Sequence, residues 1–121
     1  MVRFLVVGDL HGRKPIIKDK NFDAIICPGD IAGDYIKKYI FKALRENAKN
    51  PEKYLRWYDL VGMKDAKKLI QDSIIRGRNS LEYLNSFNVP IFTVPGNWDV
   101  GELGIPYNKW SLQHYRKMKR D

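Results

Sequence analysis

The sequence predicts an α/β fold: a parallel-type sheet with helices. Three observations predict it. Three short runs rich in Val, Ile and Phe stand at residues 2–7, 24–27 and 89–94. They are almost continuously apolar rather than alternating, which suits a parallel sheet covered on both faces. Between the second and third runs the apolar spacing changes to a helical period. A chain of 121 residues accommodates one domain, residues 1–121, rather than two separate cores. Its hydrophobic content of 44% with 12% aromatic residues excludes a disordered chain.

The elements follow in order. Residues 2–7 form the first predicted strand, stopped by Gly8. Residues 24–27 form the second, stopped by Pro28 and Gly29. A helical insert then spans residues 34–87 approximately. Its first helix, residues 34–48, carries Ile36, Tyr39, Ile40, Ala43 and Leu44 on one face, with Asp34 as its cap. Pro51 opens a second helix running through Leu60 and stopped by Gly62. Leu69, Ile70, Ile74, Leu81 and Leu84 mark a third, with Gly77 as a bend. Residues 89–94 return as the third strand, limited by Pro90 and Pro95.

A net charge of +8 favours anionic partners such as phosphates or nucleic acid. The single Cys27 excludes an internal disulfide and any zinc cage built from cysteines, and it points to a reducing compartment. The apolar run at residues 4–7 is too short for a signal peptide or a membrane span, so a cytoplasmic location is expected.

Each predicted strand runs into a glycine beside groups that coordinate or titrate: Gly8-Asp9-Leu10-His11-Gly12, Gly29-Asp30, and Gly96-Asn97-Trp98-Asp99. In open parallel sheets ligands bind beyond the carboxyl ends of the strands. Adjacent strand ends would therefore bring Asp9, His11, Asp30 and Asn97 together. Two carboxylates, an imidazole and an amide oxygen suit a divalent ion such as manganese, iron, zinc or nickel. Each residue taken singly also fits a turn, where Asp and Asn bond to nearby backbone.

In this order the motifs resemble those of the calcineurin-like metallophosphoesterases, D-x-H, G-D and G-N-x-D, and specifically the N-terminal half of their catalytic domain. The resemblance implies half of an αββα sandwich, a site for two divalent ions, manganese first among them, and hydrolysis of a phosphomonoester or phosphodiester by metal-activated water. It implies that Asp9 and His11 hold the first ion, that Asp30 bridges both, and that Asn97 holds the second. Many relatives carry a histidine after the motif asparagine, which protonates the leaving oxygen. Here that position is Trp98, so activated aryl esters are expected to be cleaved better than alkyl ones. Asp99 is given the catalytic role of orienting a metal ligand or a water.

The family's later histidines, including a G-H-x-H element, are absent, since His114 is the only histidine besides His11. His114 reads as a helix-surface residue. Four side chains hold two octahedral ions poorly. The chain is thus expected to be a fragment, half of an assembly completed by an oligomer or a second subunit, or a degenerate relative. The rival function is a nucleic-acid-binding module. Lys37, Lys38, Lys42, Arg45, Lys49, Lys53 and Arg56 are interleaved with Tyr54, Trp57 and Tyr58, and Lys109, Arg116, Lys117, Lys119 and Arg120 form a basic end.

Overall fold

The computed structural model describes residues 1–99. Three strands, β1 (Phe4–Val6), β2 (Ala24–Cys27) and β3 (Ile91–Thr93), form one parallel sheet in the order β1-β2-β3. Leu5 pairs with Ile25, which pairs in turn with Ile91. The α/β class and the parallel sheet agree with the sequence. β1 passes to β2 through an irregular connection, whereas β2 passes to β3 through helices α1 (Lys37–Lys49) and α2 (Met63–Asn85).

One face of the sheet carries the main core. Ile25 and Cys27 of β2 meet Leu81 and Leu84 of α2, with Leu10, Ile31 and Ala32 from the connecting turns. Two hydrogen bonds stitch the β1–β2 connection to α2: the Ser80 hydroxyl donates to the Arg13 carbonyl and the Tyr83 hydroxyl to the Pro15 carbonyl, each at 2.8 Å. A second core lies where α1 meets the start of α2, built from Ile40, Trp57, Tyr58, Ala66 and Ile70. Ile74 packs against both cores, so α2 is the beam that joins them.

Five expectations are corrected. Among the described residues the other face of the sheet is bare: Phe4, Val6, Phe92 and Val94 are 55%, 64%, 61% and 58% exposed. The apolar runs therefore do not mark a sheet covered on both sides by the described residues. Residues 51–60 form no α-helix but a single 3-10 turn at Trp57–Asp59, because the large rings of Trp57 and Tyr58 are buried against α1 and α2. Gly62, at φ 83°, precedes α2 as its N-cap instead of stopping a helix. Asp34 does not cap α1; Ile36 holds that position without a side-chain bond, and α2 runs unbroken through a buried Gly77.

Candidate metal centre

The turns after β1 and β2 continue the pairing of their strands. The N–H groups of Asp9, His11 and Gly12 donate to the carbonyls of Gly29, Asp30 and Ile31, at 3.3, 2.9 and 2.9 Å. This ladder brings the side chains of Asp9, His11 and Asp30 to one place. One ligand atom from each lies within 4.8 Å of the others. All three residues have left-handed backbones, with φ of 52°, 47° and 53°. Side-chain-bearing residues adopt that region at a cost, and such outliers concentrate at functional sites.

The turn after β3 closes on this cluster from the other side. Gly29, at φ 98°, and Gly96 meet backbone to backbone: a Cβ on Gly29 would stand 2.5 Å from the Gly96 nitrogen. A Cβ on Gly96 would collide with the Asp30 carboxylate. Two glycines at this crossing let the second and third turns interlock. The Trp98 N–H donates to Asp30 Oδ1 at 3.0 Å, which aims that carboxylate. The Trp98 ring stands edge-on to His11, with centroids 5.8 Å apart. Asn97 is exposed in the same turn, between Gly96, which abuts Asp30, and Trp98, which bonds to it.

Asp99 is buried, at 1% exposure, beneath the cluster. Its Oδ1 accepts from the Ile31 and Ala32 N–H groups and its Oδ2 from Gly96, all at 2.8 Å. The carboxylate thus ties the turn after β3 to the two residues that follow Asp30. Burial pushes its carboxyl above the ordinary range, and the charge of Asp30 adds to the rise. The hydrogen bonds from Ala32, Gly96 and Ile31 act in the opposite direction. Cys27 sits one strand position below the second turn. Burial raises its thiol as well, so it is a packed apolar group rather than a ligand.

The donor set fits a metal ion. His11 has a buried Nδ1 with no hydrogen-bond partner, beside two carboxylates. An imidazole lone pair and carboxylate oxygens within a few ångströms are what a divalent cation of borderline hardness requires. The sequence missed the Trp98 N–H and the glycine crossing. The only signal for them was the glycine before each acidic or amide residue.

Among the basic and aromatic residues considered for nucleic acid, Trp57 and Tyr58 are buried in the second core, which leaves Tyr54 as the exposed ring of the three. His114 and the basic residues Lys109, Arg116, Lys117, Lys119 and Arg120 lie outside the described residues. No described helix is long and apolar enough to cross a membrane. Compared with protein-family models, curated proteins and solved structures, the chain has no match.

Proposed function

We propose that the chain is a metal-dependent phosphoesterase half-site, with Asp9, His11, Asp30 and Asn97 as ligands. The observation that carries this reading is the convergence of Asp9, His11 and Asp30 within 4.8 Å, each on a left-handed backbone, at the carboxyl end of a parallel sheet. Structural ion clusters seldom need three strained residues together, whereas a site that must aim its donors does.

Bound there, one or two divalent ions, manganese first among them, would polarise a phosphoryl oxygen and lower the pKa of water. The protein's part is to aim the donors. Asp30 is fixed through one oxygen by Trp98, which leaves its second oxygen for coordination. The Trp98 edge against His11 restricts rotation of the imidazole. Asp99 works as a positioning residue, holding the backbone that follows Asp30. The indole at Trp98 has no proton to give a leaving group at ordinary pH, so aryl esters with good leaving groups suit this site.

The bare sheet face belongs to the same proposal. A second copy or a completing subunit laid on Phe4, Val6, Phe92 and Val94 would cover apolar surface and add donors to an incomplete ligand set. The test is manganese binding, read by the loss of free Mn²⁺ signal in electron paramagnetic resonance, together with hydrolysis of p-nitrophenyl phosphate and bis-p-nitrophenyl phosphate. The wild-type chain should bind manganese and turn over at least one ester. Asp30→Asn should lose both properties while remaining folded. A folded wild-type chain that binds no manganese would end this reading.

A further inference from the structure

The outward side of α1 carries two kinds of residue in two separate stripes. Ile40 and Ala43 are the buried residues of this helix, and Ile40 enters the second core. Lys38, Lys42, Arg45 and Lys49, at i, i+4, i+7 and i+11, form a basic stripe on the exposed surface. Phe41, Leu44 and Ala48, at i, i+3 and i+7, form an apolar stripe beside it, and they are exposed as well. Phe41 is 50% exposed. Leu44, which helical spacing alone groups with Ile40 and Ala43, is 57% exposed. Past the end of α1, the two hydrogen bonds from Asn47 hold Leu55 against the helix, and the neighbouring Tyr54 stands out at 75% exposure.

The charges of the basic stripe are barely compensated. Glu46 is the only acidic residue of α1, and it meets Lys49 at 3.6 Å with 74% of the lysine side chain exposed, a pairing of little strength. Lys42 and Arg45 form no salt bridge among the described residues. The Lys38 ammonium stands over the Tyr39 ring at 5.0 Å, a contact that uses none of its N–H donors. A partner for this side of α1 must be anionic, to meet the cations, and must also take aliphatic groups beside them. A nucleic-acid backbone meets the first requirement, but its bases stack on flat rings, and Leu44 and Ala48 offer none. An anionic phospholipid leaflet meets both, with headgroup phosphates for the cations and an acyl boundary for Phe41 and Leu44. Tyr54 suits the same boundary, with an apolar ring and a polar tip.

We propose that α1 docks this protein on an anionic phospholipid surface, lying along the membrane with its basic stripe on the headgroups and Phe41 and Leu44 at the acyl boundary. This is attachment to a surface and not a crossing, in keeping with the absence of a spanning helix among the described residues. The experiment is flotation of the full chain with vesicles of phosphatidylcholine alone, and with vesicles of phosphatidylcholine mixed equally with phosphatidylserine. Flotation keeps bound protein apart from aggregates, which sink. The wild type should float with the anionic vesicles, stay behind with the neutral ones, and be released as salt rises. Phe41→Ser with Leu44→Ser, and Lys42→Gln with Arg45→Gln, should each lower the partition coefficient at least about 10-fold with circular dichroism unchanged. Two control variants should float as the wild type does. Lys18→Gln with Lys20→Gln removes the same charge from exposed positions of the β1–β2 connection. Phe4→Ser with Phe92→Ser removes apolar surface from the open sheet face. If the Phe41 and Leu44 variant fails to fold, the Lys42 and Arg45 variant decides against its charge-matched control. A wild type that does not float with anionic vesicles overturns the proposal. So does flotation that the Lys18 and Lys20 variant loses as fully as the Lys42 and Arg45 variant, or that only the sheet variant loses. Oligothymidylate binding that needs Lys42 and Arg45, in a chain that does not float, overturns it too and assigns the stripe to nucleic acid.

Discussion

Asp9, His11 and Asp30 hold a backbone region that costs an L-residue about 1–2 kcal/mol. Glycine would relieve that cost, so stability and ligand geometry oppose each other at these positions. Asp9 is the exposed member of the three and makes the cleanest test. Asp9→Gly should raise the metal-free unfolding free energy by up to about 1 kcal/mol, read by urea denaturation, and should abolish manganese binding. At this scale the candidate ligands were legible, since Asp9-Leu10-His11, Gly29-Asp30 and Gly96-Asn97 each stand at the end of an apolar run. The partners of Asp99 were not. Its carboxylate bonds to Ile31 and Ala32, 68 and 67 residues earlier, and no local pattern encodes a bond of that span.

Between α1 and the 3-10 turn at Trp57–Asp59, the irregular segment is held by one side chain. Asn47 of α1 donates through Nδ2 to the Leu55 carbonyl at 2.8 Å and accepts from the Leu55 N–H at 2.7 Å. Asn47 thus completes the hydrogen bonds of Leu55 as a neighbouring strand would, and it delivers Trp57 and Tyr58 to the second core. Asn47→Ala leaves both Leu55 groups without a partner. It should cost about 1–3 kcal/mol in chemical denaturation, with the fluorescence of Trp57 shifting before the main transition. The helical periods of α1 and α2 were legible, because Ile40, Ala43, Ile70, Leu81 and Leu84 repeat at core spacing. The segment from Pro51 to Leu60 was misread because Pro51 and Gly62 were taken as the start and stop of a helix. What decides it is the bond pair from Asn47, which lies outside that stretch.

Among the described residues the sheet has one covered face and one open face. Phe4, Val6, Phe92 and Val94 line the open side, while Leu5, Val7, Ile25 and Ile91 are turned toward α2. Apolar surface of this kind seeks cover. The wild-type chain should bind an apolar fluorescent dye and associate with rising concentration in analytical ultracentrifugation. The double substitution Phe4→Ser and Phe92→Ser should suppress both effects and change stability by no more than about 0.5 kcal/mol per site. The parallel pairing of the strands was legible from the sequence because the three runs are almost continuously apolar rather than alternating. Whether both faces are covered was not, since a run of Val and Ile reads the same against a helix as against solvent.

The bonds from Ser80 and Tyr83 to the β1–β2 connection, and from Asp99 to the turn after β2, impose a schedule on folding. Each joins residues 67 or 68 apart in the chain. Closing such long loops is entropically expensive before any reward arrives, and native contacts of large sequence separation slow the search. The first and second turns therefore cannot hold their strained shape early. They must wait until α2 and the turn after β3 have arrived, so the cluster is among the last features of the domain to mature rather than its nucleus.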